Sequence, residues 1–367
     1  MPNINNRHVL CDFWYSRNLG EIVFPFEKYV EEKIGSRFAR FLLRISLLRA
    51  LLLIWFGRDF TLIVPDWYRY GRMICVLQAL LRNRNMVIFE CIDIAVWSKG
   101  PIIAAAVLFL DKYVIGPCMR ASVLAVQVMT NWELRTFMER YGLPEKMLHV
   151  VPWPLGWESE VERYGRPEDV VQTVPWPLGW DSKVHDPAGA AKCGYVLASG
   201  RNSCDWKVLF EAAQFGKWPL CVVCRGKDLA HVAAFNKSGR ATVFSDIAVV
   251  EHQRLLAGAT IYVLCLKENF KSAGHVRLST AIAAGVPVVA TNVLGLEGYL
   301  IDGVTAIAVE AGHPAALARA IENLMNEPER RNGLAVAAKQ YAAKFTKDDY
   351  FSALRQLLKV CLESNRR

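Results

Sequence analysis

Residues 275–299 read HVRLSTAIAAGVPVVATNVLGLEGY, and the rest of the chain arranges itself around them. Val276, Leu278 and Ile282 stand among alanines and small polar residues, the pattern of a short helix packed closely on a sheet. Gly285 ends that helix. Pro287, Val288, Val289 and Ala290 then run continuously apolar between Gly-Val-Pro and Thr-Asn, which marks a strand buried on both faces of a parallel sheet. Just upstream, residues 267–274 (KENFKSAG) form a polar loop closed by a small-residue step, so the helix begins with unpaired backbone N–H groups. Such an end attracts phosphate. Arg277 adds a cation there, and His275 is either a donor to phosphate or sugar or a solvent-facing helix terminus.

The chain has 367 residues, enough for two α/β domains with separate cores. With 53% apolar and 22% charged residues it is not a disordered chain. Arg44, Arg49 and Arg58 interrupt one apolar region, and Lys99 and Asp111 bracket the next, so no transmembrane helix is expected. Residues 1–8 (MPNINNRH) lack the basic start and apolar core of a secretory signal, which points to the cytoplasm. Ten cysteines, mostly inside apolar segments, then read as reduced core thiols. Cys221 and Cys224 spell CxxC, but within a strand the two side chains leave opposite faces, so no metal is expected.

The net charge of +9 is uneven: residues 1–150 hold 19 basic and 13 acidic residues. An anionic lipid surface, a phosphorylated lipid carrier or an anionic glycan suits that half, and no nucleic-acid-reading motif accompanies it. From Lys33 to Arg58 six basic residues occur without an acidic one. In a helical region from about Pro25 to Trp55, Lys33, Arg37, Arg40 and Arg44 share one face. That face is either the solvated side of a helix packed on its sheet or a membrane-surface helix gripping anionic head groups.

Strands at 9–13, 61–64 and 86–90 alternate with helices, arguing for a parallel sheet whose ligand crevice lies beyond the strands' carboxyl ends. Asp12, Asp66, Glu90 and Asp93 stand there. Asp12 and Asp93 are the candidate catalytic carboxylates, able to take a proton from an attacking hydroxyl, against the alternative of turn or helix caps. A helical run at 101–119 and a strand at 121–129 follow. VPWPLGW then occurs twice, at 151–157 and 174–180. It is either a local linker duplication or a Trp/Pro platform for sugar or a membrane interface.

From Gly194 a second alternation of strands and helices begins, a second doubly wound sheet. Its first strand ends in Ser199-Gly200-Arg201, with Lys207 six residues on, two cations suited to a pyrophosphate. No GxGxxG follows a strand, which argues against a nicotinamide enzyme.

Ala281, Ala283, Gly285, Pro287, Val288, Val289 and Ala290 resemble the nucleotide-sugar signature of GT-B glycosyltransferases, in particular the retaining family with an E-x7-E motif. Ser272 and Thr280 occupy the positions of that family's two glutamates, which hold the donor sugar and the ribose; Glu268 is the nearby carboxylate able to substitute. Gly200-Arg201 with Lys207 resembles the family's diphosphate-binding pair, and Tyr141–Met147 and Asp302-Gly303 continue the likeness. The resemblance implies an α/β, GT-B fold: two Rossmann-like doubly wound domains facing across a cleft. Residues 1–150 would bind the acceptor, 151–193 link, 194–346 bind the nucleotide sugar, and 347–367 form a helix crossing back. The donor site would comprise Gly200, Arg201, Lys207, Glu268, Ser272, Gly274, His275, Arg277 and Thr280.

The implied activity moves a sugar from a nucleotide-diphosphate donor to a glycan or lipid-linked acceptor hydroxyl, in cell-surface polysaccharide or glycolipid synthesis, without cofactor or metal. A non-catalytic GT-B-like binding protein and a nucleotide-sugar epimerase or hydrolase are the alternatives.

Overall fold

A computed structural model of the chain describes residues 8–13, 15–90, 101–157, 194–201, 203–216, 218–268 and 273–365. It divides into two units, Met1–Pro152 with Asp348–Arg367, and Trp153–Lys347.

In the first unit the chain runs β1 (Val9–Cys11), β2 (Val23–Pro25), α1 (Phe26–Ile34), α2 (Ser36–Leu42), α3 (Ser46–Phe56), β3 (Leu62–Val64), α4 (Trp67–Leu80) and β4 (Met86–Ile88). It continues with α5 (Pro101–Leu110), a π turn (Asp111–Ile115), α6 (Gly116–Ser122), β5 (Val123–Val128), α7 (Asn131–Tyr141) and β6 (Leu148–Val150). All six strands are parallel, in the order β2-β1-β3-β4-β5-β6. From β2 onward every crossover steps the same way along the sheet, so right-handed connections put α1 through α7 on one face. The core there joins Leu10, Ile63, Ile88 and Val126 to Val30, Leu53, Ile74 and Tyr141. Each aliphatic side chain so buried contributes about 1.5–3 kcal/mol. Helix α7 starts on Thr130, whose hydroxyl accepts from the Glu133 N–H at 3.0 Å, while the Glu133 carboxylate accepts from the Met129 N–H at 2.6 Å. Two otherwise orphaned donors are thereby satisfied.

In the second unit β7 (Val196–Ser199), α8 (Trp206–Phe215), β8 (Leu220–Cys224), α9 (Leu229–Phe235), β9 (Ala241–Ser245), α10 (Val249–Gly258) and β10 (Ile261–Leu264) lead to α11 (His275–Ala283) and β11 (Val288–Asn292). β12 (Ile307–Glu310), α12 (Pro314–Asn326) and α13 (Pro328–Ala342) complete it. Its parallel sheet has the order β12-β11-β10-β7-β8-β9, so the winding direction reverses between β7 and β10. Ligands of doubly wound sheets collect beyond the carboxyl ends at that reversal. Helix α14 (Lys347–Asn365) belongs, from Asp348 on, to the first unit. There Phe351 packs edge-on against Tyr15 at 5.9 Å and the Tyr350 hydroxyl donates to Glu90 at 3.2 Å.

Helix α11 and strand β11 reproduce the sequence reading of residues 275–299. Other segments differ. The region 25–55 is three helices rather than one, because Gly35 adopts φ +84 and the chain turns again between α2 and α3. Lys33, Arg37, Arg40 and Arg44 are therefore spread over α1, α2 and the following turn. Arg49 is buried and takes no part in a basic surface. Asp111 does not end the apolar helix before it. The helix continues through the π turn, and Ile102–Ser122 is, by length and composition, long and apolar enough to cross a membrane, with 28% of its 18-residue apolar window buried. The bracketing charge does not limit the apolar helix as the sequence suggested, since Asp111 is neutralised inside the fold by Arg72 and Arg140, at 2.9 and 2.6 Å.

The first VPWPLGW copy is also not an open platform. Trp153 and Trp157 are buried and stacked at 5.0 Å. Their backbone N–H groups donate to Tyr299 Oη (2.5 Å) and Ser279 Oγ (3.0 Å), fastening the segment to α11. The second copy lies outside the described residues.

Candidate functional site

A pocket opens at the carboxyl ends of β7, β8 and β9, lined by Gly200, Arg201, Cys224, Asp246, His252 and Arg277 among others. β7 ends in Ser199-Gly200-Arg201, and a Cβ at Gly200 would collide with the Cys204 sulfur, which packs against this strand end. Two non-glycine residues of the adjoining loops, Ser203 and Asp246, adopt the left-handed conformation at φ +60 and +48. Strain of that kind persists where surrounding structure enforces it. Asp246 is held by the Gly226 N–H, 2.9 Å from its carboxylate.

Helix α10 contributes His252 and α11 contributes Arg277. Arg277 Nη1 lies 3.3 Å from His252 Nε2, and Ser199 Oγ lies 2.8 Å from the same nitrogen. A guanidinium can only donate, so Nε2 accepts and the imidazole proton is on Nδ1. Nδ1 is buried with no hydrogen-bond partner among the described residues. Burial, then the charges of Arg277 and Arg201, hold the ring well below the ordinary imidazole range. His252 is thus a neutral acceptor that orients Arg277 toward the pocket without adding to its charge. The result is a concave site with two guanidiniums, suited to an anion that both can fork.

Of the nine donor residues expected from sequence, this pocket brings together Gly200, Arg201 and Arg277. Lys207 is exposed on α8, 3.8 Å from Glu211. Gly274 caps α11 at φ +97, and a Cβ there would sit 2.8 Å from Leu266, so the helix begins with uncapped amides because glycine alone fits. The Thr280 hydroxyl donates to the Val276 carbonyl at 2.7 Å. The exposed Glu268 carboxylate accepts from the Leu294 N–H at 3.2 Å. Ser272 lies outside the described residues.

His275 is buried rather than facing solvent, its ring 4.3 Å from that of Tyr299. Burial pushes it down to about 4, opposed by a hydrogen bond to the Gly295 backbone. Its folded value is below the unfolded one, so the stability it permits is complete above about pH 6.5 and is lost as pH falls toward 4, by about 1.4 kcal/mol per unit. His252 acts with the same sign. Urea unfolding at pH 7.5 and pH 5 is expected to show that loss. The His275→Gln variant should shrink the difference by about 2 kcal/mol, and an unchanged difference would contradict a neutral buried ring.

In the first unit, Asp12 at the end of β1 is buried and bonded on both carboxylate oxygens by Arg49, at 2.7 Å from Nε and more closely from Nη2. The Tyr70 hydroxyl donates to Asp12 as well. Asp66 is the N-cap of α4, accepting from the Arg69 N–H at 3.1 Å. Glu90 is buried at φ +43, its N–H donating to Gln127 at 2.7 Å. Asp93 lies outside the described residues. The sequence reading missed His252 and Ser199. A histidine on an apolar helix carries no local signal of a partner 53 residues away.

Residues 206–327 match the model of the family Glycosyl transferases group 1. The D-inositol 3-phosphate glycosyltransferase of Corynebacterium diphtheriae is 41% identical over 66 residues, 18% of this chain and 16% of that protein. The chain thus matches less than a fifth of that relative's length. HepE of Anabaena, solved in complex with UDP, is similar across 97% of this chain and 100% of its own, with a TM-score of 0.63 at 13% identity. Sucrose-phosphate synthase of Thermosynechococcus elongatus is similar across 94% of this chain and 82% of its own, with a TM-score of 0.63 at 14% identity. These likenesses, with two parallel six-stranded sheets, give the fold as GT-B: two Rossmann-like α/β domains.

Proposed function

We propose that this chain is a glycosyltransferase of the group 1 type that moves a sugar from a nucleotide-diphosphate donor to the hydroxyl of a glycan or lipid-linked acceptor. The observation that carries the reading is the pair of guanidiniums, Arg201 and Arg277, lining one pocket where the second sheet reverses its winding, Arg277 inside the segment that matches the family and Arg201 just before its start. HepE was solved with UDP, so uridine diphosphate sugars are the first donors to try.

In the proposed reaction the acceptor oxygen forms a bond to the anomeric carbon while the bond from that carbon to the diphosphate oxygen breaks. The hydroxyl proton leaves with the departing phosphate or to a base. Arg201, Arg277 and the uncapped amides of α11 stabilise the charge gathering on the leaving diphosphate, so fixed protein charges can do this work. Lys207 is a further cation for it. An exposed i,i+4 pair such as Lys207–Glu211 contributes about 0.3–0.5 kcal/mol, little enough for a diphosphate to draw the ammonium away. Glu268, Ser272, His275 and Thr280 would border the donor sugar and ribose. The chain is proposed to work in the cytoplasm, in cell-surface polysaccharide or glycolipid synthesis. Its Lys33–Arg58 region would meet an anionic membrane surface at the inner face, where lipid-linked acceptors reside.

The test is thermal-shift screening against a panel of nucleotide sugars, followed by product detection with a lipid or glycan acceptor. Selective stabilisation and transfer are expected, since a ligand bound only to the native state raises its stability. The replacement of both family glutamates, at Ser272 and Thr280, favours one competing reading, a binding protein without activity. It would show weak stabilisation by nucleotide sugars or none, with no turnover, and a hydrolase or epimerase would consume donor with no acceptor present. No stabilisation by any nucleotide sugar would overturn the assignment.

A further inference from the structure

Helix α5 reads PIIAAAVLFL, without one polar side chain, yet most of it is open to solvent. Ile102 is 84% exposed and Phe109 61%; Tyr113, in the π turn that follows, is 60% exposed. Single exposed apolar residues are ordinary, but a contiguous stretch of this kind marks a surface that another phase or molecule covers.

The continuation of α5 settles how far it can go. Asp111 is 1% exposed and bonded by Arg72 at 2.9 Å and Arg140 at 2.6 Å. Ile115 and Met119 are in the core of the first unit, and a Cβ on Gly116 would strike the Tyr141 carbonyl. The second half of the 21-residue helix is therefore fixed within the fold. Its outer part, nine residues from Ile102 to Leu110, is about 14 Å long, roughly half the hydrocarbon thickness of a bilayer. It can enter one leaflet and cannot cross.

Charge identifies the cover. Helices α2 and α3 lie on the same face of the sheet as α5, with α4 between them. They and their flanking turns expose Arg37, Arg40, Arg44 and Arg58, together with Phe41 and Trp55. The Arg58 guanidinium sits 5.0 Å from the Trp55 ring, apolar body and cation side by side, as at a membrane interface. No acidic residue occurs between Lys33 and Arg58. A helix whose backbone is internally satisfied needs no polar partner in lipid, and the basic surface beside α5 matches anionic head groups.

We propose that α5 is a monotopic anchor that inserts into one leaflet of an anionic bilayer, while the basic surface of α2 and α3 rests on the head groups. This deepens the membrane-surface part of the proposed function and is independent of the donor site.

Co-sedimentation of the full-length protein with vesicles tests it, using phosphatidylcholine alone and phosphatidylcholine mixed with phosphatidylglycerol. The protein is expected to bind the mixed vesicles more strongly, with binding falling as salt rises. Ile102→Ser with Phe109→Ser should lower partitioning onto both kinds by about tenfold or more. Arg37→Glu, Arg40→Glu and Arg44→Glu together should remove only the preference for the mixed vesicles. Circular dichroism confirms that the variants fold. No donor is needed, so a failed donor screen leaves this result standing. Wild-type protein that ignores both vesicles, serine variants that bind as it does, or a wild-type dimer that the serine variants convert to monomer without vesicle binding would each overturn the proposal.

Discussion

Arg277→Ala and Arg201→Ala are each expected to weaken nucleotide-sugar binding roughly ten- to hundredfold, from the loss of a charge-assisted contact of about 1.5–3 kcal/mol. The loss in turnover should be larger than the loss in affinity, because charge on the bridging phosphate oxygen grows as the sugar departs and both guanidiniums stabilise it more in the transition state. The two substitutions together should cost less than the sum of each alone, since both act on one diphosphate. His252→Ala is expected to raise the donor Kd through Arg277 alone, so the Arg277→Ala background should abolish its effect. Arg330, exposed and paired with Glu327 at 3.2 Å, supplies the control: Arg330→Ala should change neither quantity. Isothermal titration with a uridine diphosphate sugar and single-turnover kinetics measure both. Full affinity in the two pocket variants would remove the diphosphate from this pocket.

The second large effect concerns stability. Arg49→Leu leaves the Asp12 carboxylate buried without its cation, and breaking a buried pair in this way costs about 3–5 kcal/mol. Tyr70 alone cannot compensate a full charge. Removing the carboxylate as well, in Asp12→Leu with Arg49→Leu, should recover most of that loss, because a well-packed apolar pair is often as stable as the ion pair it replaces. Urea unfolding of the three proteins closes the cycle. The same double variant separates the two roles open to Asp12. If it braces α3 against β1, activity returns with stability; if it accepts the acceptor's proton, the refolded double variant stays inactive.

The second sheet was legible because its information is local. Gly285, Pro287 and the run Val288–Ala290 specify a turn and a doubly buried strand within a few residues, and α11 and β11 appear there. The place of Gly200-Arg201 at the end of β7 was legible for the same reason, following directly on a short apolar strand. What escaped the sequence depends on residues brought together from afar. Arg49 looks like one more member of a basic stretch, and only the sheet shows it meeting Asp12, 37 positions earlier. Asp111 looks like the end of an apolar helix until Arg72 and Arg140 neutralise it. The neutral imidazole of His252 exists only because Ser199, Arg277 and their burial coincide. Lys207 was read from its resemblance, with Gly200-Arg201, to the family's diphosphate-binding pair, which fixes its place on α8 but not where a long, exposed side chain points.

Helix α14 has a consequence for how the molecule is made. Tyr350 and Phe351 close over Tyr15 and Glu90, and Arg355 donates to the Asn18 carbonyl at 2.8 Å, all residues that precede the second unit in the chain. During synthesis those residues therefore lack this covering helix until the second unit has been translated.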